Sequence, residues 1–445
     1  MKLSHVTTGC ETACATASTE RVGERMLKES TVSTRYRVLK IQIAGDYREA
    51  YERLAHGGVE TYYAQHYSIE SDALLGSQIE QMGVLCCKTD DVYDVVLPNG
   101  VRAMGAGLAS YGTGKAVLPI IETFAPTHLI VAAPVAVWIR WALNNEIKVL
   151  PFLASSFSPS FGSIPPLRRL VKRWRHRRWT AELIRLLNNP KIPWIANHNM
   201  SSSRAINRLG VPAEKIIPWD WPAVVRPDHY SAKEHSGTDR MWRLTYVGVV
   251  SEEKGAGDLL DAVNLLVADG RKVQLDVIGP GNASAMSALA NRVKHLVGDK
   301  IIFRGRIPHD LAVAAIREAD VMIVPSRHDY PEGLPCTIFE TLAVRTPLVC
   351  SDHPMFVENV KDGVSALVFR ERNARELAAC VSRLMDDSEL YNRISAEGHA
   401  AWETLQVPTK YRELTHRWVR STADDNKWLL DRTLARYAPS NVNCH

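Results

Sequence analysis

The chain has 445 residues, of which 46% are hydrophobic and 23% are charged. This composition indicates a globular protein of two or three domains and excludes a largely disordered one. The net charge of +5 is too small to indicate a nucleic-acid partner. Seven of the 54 basic residues nevertheless lie within 168–178 with no acid among them, so the basic character is local.

Eight cysteines in a chain of this length do not form a disulfide framework, and no Cys-x-x-Cys metal pair is present. They predict reduced thiols in a cytoplasmic protein. Residues 1–35 are rich in Thr, Ser and Glu without an apolar stretch, which predicts a disordered extension and not a signal peptide. No run is long and apolar enough to predict a membrane span.

Strand and helix patterns alternate through the first half of the chain. An apolar strand is predicted over 37–44, and Gly57 and Gly58 precede a long helix predicted over 59–82. The later predicted strands cover 84–87, 128–132, 149–153 and 193–196, and the helices between them cover 114–124 and 202–209. This order predicts a Rossmann-like domain over 36–222 with a mainly parallel sheet.

The alternation stops in an aperiodic, proline-containing stretch that predicts a linker over 223–242, and it then restarts. A second Rossmann-like domain is predicted over 243–406, followed by a helical tail over 407–445. Its predicted strands cover 244–247, 273–278, 301–303, 321–324, 347–350 and 366–369, and its helices cover 256–268, 310–317, 336–344 and 373–385. The predicted fold class is α/β, with two doubly wound domains and a cleft between them.

Two loops of the second domain carry candidate binding residues. In the first, a strand ends at Gly248 and a helix begins near Gly255, so Lys254 adds a positive charge at a helix N-terminus that favours an anion. In the second, Glu332 lies in a Gly/Pro loop and Glu340 in the following helix, where a carboxylate can accept hydrogen bonds from a ribose diol. Taken alone, the first loop is more typical of a solvated turn, and the second is more typical of a surface acid followed by a helix acid that favours the dipole.

The order of these features resembles the retaining GT-B glycosyltransferases of family 4. The Glu-x7-Glu spacing from Glu332 to Glu340 follows a strand and Pro325-Ser326, as in that family. The resemblance also covers the segments 248–262, 303–306, 319–320, 346–349 and 358–364. It therefore extends over about 150 residues in the expected strand and helix context.

The resemblance implies the GT-B fold, with an N-terminal acceptor domain and a C-terminal domain that binds a nucleoside-diphosphate sugar donor. Lys254 would contact the diphosphate, Glu340 the ribose and Glu332 the donor sugar, which makes Lys254 and Glu332 the candidate catalytic pair. Backbone groups at Gly248 and around Gly333, Leu334 and Pro335 would complete the donor site. The turn at Gly57 and Gly58 would match the family's glycine-rich loop, closing on the phosphates from the other domain.

Two positions depart from the family pattern. The family usually has Arg directly after the glycine matching Gly248, whereas this chain has Val249. Arg306 and Arg327 are the substitutes we considered for this second cationic group. Many members also have a His after the strand over 149–153, where this chain continues with Ala154. His198 is a candidate neighbour of the acceptor, although a core or capping role is more common for such a residue.

By resemblance, the sugar is transferred with retention of its anomeric configuration. The chain contains no Asp-x-Asp sequence, so neither a metal nor another cofactor is expected, and cationic groups of the protein would stabilise the leaving diphosphate.

The basic segment predicts a helix over 166–187 with an apolar stripe at Leu167, Leu170, Val171 and Trp174. Such a helix fits an anionic membrane surface, and it predicts a peripheral protein on the inner face of the membrane. The alternative is a solvated helix whose stripe packs on the domain. The candidate membrane and acceptor residues are Arg168, Arg169, Lys172, Arg173, Trp174 and Arg177.

The leading hypothesis is a transferase that extends a saccharide acceptor, with a lipid-linked one favoured, for a cell-surface polysaccharide or lipopolysaccharide. It includes no nucleic-acid partner. One alternative is a catalytically silent GT-B protein that binds a nucleotide or a partner. Another is a soluble enzyme that glycosylates a small molecule.

Overall fold

A computed structural model describes residues 36–43, 45–61, 63–109, 114–154, 157 and 166–437, without the side chains of residues 166, 167 and 169. The predicted extension over 1–35 lies outside these residues. The described chain forms two α/β domains, each built on its own sheet.

The N-terminal domain has an eight-stranded sheet in the order β3-β4-β2-β1-β5-β6-β7-β8, parallel except for β3. The strands are β1 (Arg37–Gln42), β2 (Gln81–Cys86), β3 (Val92–Val96), β4 (Arg102–Ala106), β5 (His128–Val131), β6 (Lys148–Leu153), β7 (Ile195–His198) and β8 (Ile216–Trp219). The helices are α1 (Tyr47–Ala55), α2 (Gln65–Gly76), α3 (Leu118–Phe124), α4 (Ala136–Asn144), α5 (Pro166–Leu187) and α6 (Met200–Arg208). Single 3₁₀ turns cover Lys115–Val117 and Ala213–Lys215.

The central strands of this sheet are buried on both faces, as expected for a parallel sheet covered by helices. Residues 38–41 of β1 are all buried, and so are all four residues of β5. Alternate side chains of β1 point into two separate cores, with Leu39 and Ile41 on one face and Val38 on the other. The predicted doubly wound arrangement is therefore present in this half of the chain.

The prediction of one long helix over 59–82 is wrong. The chain forms helix α1 before the two glycines and helix α2 after them, and the end of the predicted helix is strand β2. A second error is the missed hairpin of β3 and β4, whose turn contains Asn99 and Gly100. Asn-Gly between two apolar runs is a strong hairpin signal that the prediction overlooked.

The C-terminal domain has a six-stranded parallel sheet in the order β11-β10-β9-β12-β13-β14. The strands are β9 (Trp242–Val247), β10 (Val273–Ile278), β11 (Ile301–Gly305), β12 (Val321–Val324), β13 (Leu348–Ser351) and β14 (Leu367–Phe369). The helices are α7 (Ala256–Ala268), α8 (Ala283–Arg292), α9 (His309–Glu318), α10 (Cys336–Ala343), α11 (Pro354–Val357), α12 (Ala374–Asp386) and α13 (Ser388–Leu405).

All predicted strands and helices of this domain are confirmed to within two residues, and α7, β10 and β12 have the predicted bounds. Helices α8, α11 and α13 were not predicted. In α8 only Leu289 is buried, so no apolar stripe distinguishes this helix. Helix α13 does have a buried stripe, which includes Leu390, Ile394 and Trp402, and the prediction overlooked it.

The sheet order places a topological switch point in the C-terminal domain. From the central strand β9 the chain moves outward to β10 and β11, and then crosses back to β12 on the other side of β9. Loops that leave such neighbouring strands diverge and open a crevice at the carboxyl edge of the sheet, where α/β proteins bind ligands. The loops after β9 and β12 are those that contain Lys254 and Glu332.

Gly255 allows these two loops to approach each other. Its backbone has φ +74°, and a Cβ atom on it would lie 1.9 Å from the carbonyl oxygen of Pro325. Both the left-handed conformation and the contact require a residue without a side chain. The amide of Arg327 donates to the carbonyl of Glu253 at 2.9 Å and holds the loops in register.

We expect Gly255→Ala to destabilise the protein by more than Gly270→Ala does. Gly270 has a similar φ of +77°, but a Cβ atom on it would have no neighbour within 4 Å. Gly270→Ala therefore measures only the backbone strain, about 1–3 kcal/mol, without a steric clash. Chemical denaturation of both variants measures the difference. Equal losses of unfolding free energy would contradict the close approach of the two loops.

Beyond β8, the chain crosses to the C-terminal domain and later returns. The connecting segment packs against that domain, where the amide of Lys233 donates to Ser395 Oγ and Tyr230 lies against an apolar cluster. It includes a 3₁₀ turn at Pro227–His229. After α13, helices α14 (Tyr411–Arg420) and α15 (Ala423–Leu430) and a final 3₁₀ turn at Leu434–Arg436 cover the N-terminal domain.

The returning helix α14 is anchored by polar contacts as well as by burial. The Tyr411 hydroxyl donates to Asp72 at 2.7 Å, and the ring of His416 hydrogen-bonds the carbonyl of Ser71 at 3.0 Å. Directly before α14, the backbone of Lys410 forms an isolated parallel β-bridge with Asp220, which also attaches the returning chain to the N-terminal domain. Of the helices in the described ranges, none is long and apolar enough to cross a membrane.

Candidate functional site

Lys254 and Glu332, predicted on separate loops, form an ion pair at the switch point. The ammonium of Lys254 lies 2.6 Å from both carboxylate oxygens of Glu332. The two side chains are only 14% and 8% exposed, so solvent screens this pair little. The Lys254 ammonium also lies 4.5 Å from the ring centroid of Tyr330, within cation–π range.

Ser326 fixes the orientation of the Glu332 carboxylate. Its hydroxyl donates to Glu332 Oε2 at 2.7 Å, while the Ser351 hydroxyl donates to the Ser326 carbonyl and holds that loop on β13. The Glu332 carboxylate is therefore positioned by a neutral donor and by a cation at once. A buried carboxylate needs such partners to remain charged.

Glu340, the other predicted acid, lies in α10 and is 4% exposed. Its Oε1 is 2.6 Å from Nε2 of His309, the first residue of α9. The hydrogen bond to Glu340 raises the pKa of His309 above its usual value, against the opposing effect of burial. Sequence reasoning missed His309, although it follows strand β11 at the same sheet edge as the predicted residues.

The raised pKa of His309 gives the stability of the protein a pH dependence. Because protonated His309 is favoured in the folded state, its contribution is complete below the ordinary value of 6.5 and is lost as the pH rises through the raised pKa. We expect the difference in Tm between the wild type and His309→Gln to be largest near pH 6 and to shrink toward pH 9. A difference that does not vary with pH would contradict this assignment.

Gly57 and Gly58 end helix α1 in a Schellman motif. The Gly57 amide donates to the Leu54 carbonyl at 3.0 Å and the Gly58 amide to the Arg53 carbonyl at 2.9 Å. Gly57 has φ +78°, and a Cβ on Gly58 would collide with Arg53, so both positions require glycine.

The residues after this turn reach the C-terminal domain. The Glu60 carbonyl accepts a hydrogen bond from the His309 amide at 3.3 Å, and the ring of Tyr63 meets that of His309 edge-on at 5.6 Å. The glycine turn thus directs a segment of the N-terminal domain onto the histidine that contacts Glu340. Glu60 and Tyr63, and not the predicted Gly57 and Gly58, make these contacts with His309.

Gly333, Leu334 and Pro335 form the turn between Glu332 and α10. Leu334 is 3% exposed and belongs to the apolar core, while Pro335 precedes the first turn of α10. Gly333 faces the other domain, since a Cβ on it would lie 3.4 Å from Ser202 Oγ and 3.6 Å from the Ala154 carbonyl. The remaining predicted glycine, Gly248, ends β9, and its amide donates to the Ile278 carbonyl at 2.9 Å.

Two helices direct their N-termini toward this site. Neither α7, which begins after Gly255, nor α10, which begins after Pro335, has a side chain that caps its first turn. The amides of Ala256 and Ile338 donate to the carbonyls of Ser251 and Pro335, and no side chain caps the other amides of those first turns. The uncapped amides are available to an anion, which the helix dipoles favour. The site combines one buried ammonium, two buried carboxylates and two uncapped helix starts.

The two arginines considered as substitutes at Val249 lie in different environments. Arg327 binds Asp258 through two hydrogen bonds of 2.7 and 2.8 Å and also contacts Glu252, so its charge is already compensated. Arg306 is exposed and makes no hydrogen bond or ion pair with a described residue. It follows Gly305, whose carbonyl accepts from the Gly279 amide at the same sheet edge.

His198 has a buried partner. Its Nε2 lies 3.0 Å from Asp220 Oδ1, both side chains are about one-tenth exposed, and its ring packs on Trp219. These contacts favour the core role over the acceptor role.

Beside Glu340 the cleft between the domains is narrow. A cavity beside Glu340, lined by Tyr63, Asp220 and Cys336, measures about 20 Å³. That volume holds a single water molecule and no nucleotide. Entry of a ligand therefore requires the two domains to separate or their loops to move.

Among the described residues, the basic helix α5 forms no hydrogen bond or ion pair with Lys254, Glu332 or Glu340. Its first half leaves apolar side chains in solvent, with Leu170 62%, Val171 52% and Trp174 56% exposed. Its second half is anchored in the N-terminal core by Leu183 and Leu187. Arg168, Lys172, Arg173 and Arg177 are exposed, whereas the side chains of Leu167 and Arg169 lie outside the described residues.

A search for metal-binding clusters within the described ranges finds no group of three or more His, Cys, Asp or Glu side chains arranged to hold an ion. The described cysteines, Cys86, Cys87, Cys336, Cys350 and Cys380, are free thiols. Burial raises the pKa of Cys86 to about 11, so that thiol stays protonated at neutral pH.

The chain is similar to several known proteins. Residues 232–400 match the sequence model of a family described as glycosyl transferases group 1. An alpha-D-kanosaminyltransferase of Streptomyces kanamyceticus is 29% identical over 168 residues, covering 37% of this chain and 41% of that protein. The amylovoran biosynthesis glycosyltransferase AmsK of Erwinia amylovora is 28% identical over 179 residues, covering 40% and 43%.

These matches span about two fifths of the length of the curated relatives. Over most of the chain, the structure resembles Anabaena Alr3699/HepE in complex with UDP and glucose. That comparison has a TM-score of 0.59 and 12% identity, and it covers 87% of this chain and 99% of the other. The chain therefore has the GT-B fold, and within it residues 232–400 are similar to the glycosyl transferases group 1.

Proposed function

We propose that this GT-B protein, in which residues 232–400 are similar to the glycosyl transferases group 1, is a retaining glycosyltransferase of family 4. In this proposal it moves a sugar from a nucleoside diphosphate to a saccharide acceptor. The observation that carries the proposal is the convergence of Lys254, Glu332, Glu340 and two uncapped helix starts at one switch point. A dianionic diphosphate and a ribose diol are the groups that this set of partners suits.

In the ligand-free form the charged groups of the site satisfy one another. A bound donor replaces these contacts, with its diphosphate taking the Lys254 ammonium from Glu332 and its ribose hydroxyls binding Glu340. His309 holds Glu340 Oε1 and thereby fixes the plane of the carboxylate that receives the ribose. Glu332, released from Lys254, is left to bind hydroxyl groups of the donor sugar.

The proposed reaction breaks the bond between the anomeric carbon and the diphosphate oxygen. The bond electrons leave with the diphosphate, and the acceptor oxygen bonds the anomeric carbon from the same face while its proton passes to the leaving phosphate. Lys254 and the amides of α7 and α10 stabilise the charge that develops on that oxygen. In this scheme the protein's own cations do what a metal does in other transferases.

We further propose that α5 binds an anionic membrane surface next to a lipid-linked acceptor. Its exposed apolar side chains and five of its eight Lys and Arg residues lie in its first half, residues 166–176. A groove of about 780 Å³ runs along this helix and is lined by Arg173, Arg177 and Arg185 together with apolar side chains. Clustered basic residues near an anionic surface contribute about 1 kcal/mol each to binding.

Replacing Leu170, Val171 and Trp174 by serine is expected to abolish cosedimentation with vesicles that contain anionic lipid. The control is Val92→Ser with Val96→Ser, since these two valines are 75% and 65% exposed on strand β3, far from the basic helix in the sequence. Binding by the control but not by the α5 variant supports the proposal. A wild type that stays in the supernatant at low salt supports instead a soluble transferase acting on a small molecule.

The second candidate function is a catalytically silent protein that binds nucleotide. It is favoured by Val249 and by the compensated charge of Arg327, which leave Lys254 without a second cation directly beside it. Release of free nucleotide from UDP- and GDP-sugars by the purified protein separates the two functions. Turnover lost in Lys254→Ala supports the transferase, and nucleotide binding without turnover supports the silent protein.

A further inference from the structure

Three buried polar atoms at the start of helix α6 have no partner among the described residues. They are the Ser202 hydroxyl, the Asn199 side-chain amide nitrogen and the Asn197 side-chain oxygen. The three residues are 0%, 2% and 0% exposed. Buried polar groups are nearly always paired, so three unpaired ones close together need an explanation.

Hydrogen bonds place the three atoms around one residue. The Asn197 side chain donates its amide to the Ser202 carbonyl at 2.9 Å, and its oxygen is left over. The Asn199 oxygen caps the helix by accepting from the Ser202 amide at 2.9 Å, and its nitrogen is left over. The unpaired set therefore offers one donor, one acceptor and one hydroxyl that can act as either.

The Ser202 hydroxyl faces the candidate site. The Ser202 hydroxyl lies 3.4 Å from the position of a Cβ on Gly333, the residue directly after Glu332. The flanking residues of α6 also meet the C-terminal domain, since Asn359 donates to Ser201 Oγ and Arg208 pairs with Glu358 at 2.7 Å. Helix α6 is thus the part of the N-terminal domain that closes over the loop containing Glu332.

The backbone at Asn199 adds to this picture. It has φ +57° and ψ 170°, a conformation that residues with a side chain rarely adopt. This geometry keeps the Asn199 side chain over the helix start while its amide nitrogen remains unpaired.

We propose that Ser202, Asn199 and Asn197 bind hydroxyl groups of the acceptor saccharide. A sugar ring presents neighbouring donors and acceptors, which match the three unpaired atoms. The set lies in the domain opposite Lys254 and Glu340, so it meets the acceptor while the C-terminal domain holds the donor. This inference rests on the proposed function and assigns the acceptor side of the same cleft.

The closed form leaves no room for a ring between Ser202 and Gly333. The acceptor therefore enters when the domains separate, and it fills the three unmet hydrogen bonds when they close again. Closure without an acceptor leaves these groups buried and unpaired, which disfavours it. Acceptor binding and domain closure are coupled by this arrangement.

Two neighbouring serines provide a matched pair of variants. The Ser203 hydroxyl is as buried as that of Ser202, but it donates within the helix start to the carbonyls of Asn197 and Asn199. Ser202→Ala removes an unpaired group and is expected to leave Tm unchanged or to raise it. Ser203→Ala removes a paired group and is expected to lower Tm.

The kinetic test uses nucleotide release from UDP- and GDP-sugars with methyl glycosides of glucose, galactose and N-acetylglucosamine as acceptors. Ser202→Ala and Asn199→Asp are expected to raise the KM of the acceptor about tenfold, and more than they raise the KM of the donor. Asp retains the oxygen that caps the helix, so Asn199→Asp tests the amide nitrogen alone. Ser203→Ala is expected to keep the wild-type KM of the acceptor.

Each other outcome overturns the inference. A wild type that releases no nucleotide from any donor contradicts the proposed function and this inference with it. Wild-type turnover with an unchanged acceptor KM in Ser202→Ala contradicts the inference alone. If Ser202→Ala lowers the Tm as far as Ser203→Ala does, the Ser202 hydroxyl stabilises the fold and does not bind the acceptor. If Ser202→Ala and Asn199→Asp raise only the KM of the donor, the three residues bind the donor sugar.

Discussion

Lys254→Ala is expected to lower sugar transfer by at least about 100-fold. Its ammonium is the buried cation at the start of α7, where the leaving diphosphate develops charge. Removing one preorganised group of this kind from an oxyanion site costs about 10²–10³ in kcat. The quantity to measure is the rate of nucleotide release with donor and acceptor at saturation.

The same substitution also affects stability, because it leaves Glu332 buried without its cation. Loss of one member of a buried ion pair can cost about 3–5 kcal/mol, and the residual exposure of both groups reduces that figure. Lys254→Met combined with Glu332→Gln removes both charges, and it is expected to restore most of the stability without restoring transfer. Recovery of transfer in the double variant would show that Lys254 only stabilises the structure and does not act on the leaving diphosphate.

A surface pair provides the control for these variants. Lys272 and Asp239 are 58% and 90% exposed and also form an ion pair. Lys272→Met with Asp239→Asn is expected to leave both the free energy of unfolding and the transfer rate close to those of the wild type, because exposed ion pairs contribute little to stability. Comparing the two double variants distinguishes the effect of losing any ion pair from the effect of losing the pair of Lys254 and Glu332.

Glu340→Ala is expected to weaken donor binding about 100-fold or more. Two charge-assisted hydrogen bonds from the ribose hydroxyls would be lost, each contributing about 1.5–3 kcal/mol. The effect should appear in the Kd of the nucleoside diphosphate alone, measured by calorimetry, because the ribose contact does not require the sugar that is transferred. His309→Gln keeps the carboxylate and removes only its neighbour, so a much smaller loss is expected.

If Glu340→Ala and His309→Gln weaken binding equally, the carboxylate does not contact the ribose directly. The result would then assign both residues to the shape of the loop at the start of α9. If neither substitution changes the Kd, the nucleotide binds elsewhere on the chain.

The C-terminal domain is the part whose fold could be predicted best from the sequence. Its strands are short apolar runs and its main helices have continuous buried stripes, so periodicity defines both. The N-terminal error over 59–82 has a local cause. Gly57 and Gly58 were interpreted as the start of a helix, whereas they end α1, and a Gly pair alone does not distinguish the two.

The predicted site residues rest on the resemblance to family 4, since neither loop alone indicates a binding site. Their mutual contacts could not be predicted. The spacing between Lys254 and Glu332 says nothing about an ion pair between them, because that pair depends on the switch from β9 to β12 across the sheet. The partners of Arg327 and the role of His309 are likewise set by packing between elements distant in sequence.

The apolar stripe of α5 shows the same limit. The sequence predicts the stripe, but it does not determine whether the stripe packs on the domain or lies exposed to solvent. The exposure of Leu170, Val171 and Trp174 excludes the packed alternative for these three side chains. What they contact in the cell is the subject of the vesicle experiment.

The most direct test of the central claim is a thermal-shift panel of UDP, GDP, ADP and common nucleotide sugars on the wild type and Glu340→Ala. A ligand present at 100 times its Kd stabilises the folded protein by about 2.7 kcal/mol, which is visible as a rise in Tm. The account predicts a clear rise with at least one nucleoside diphosphate and its sugar, lost in Glu340→Ala. An unchanged Tm with every nucleotide, or a rise retained in full by Glu340→Ala, would contradict the assignment of this site.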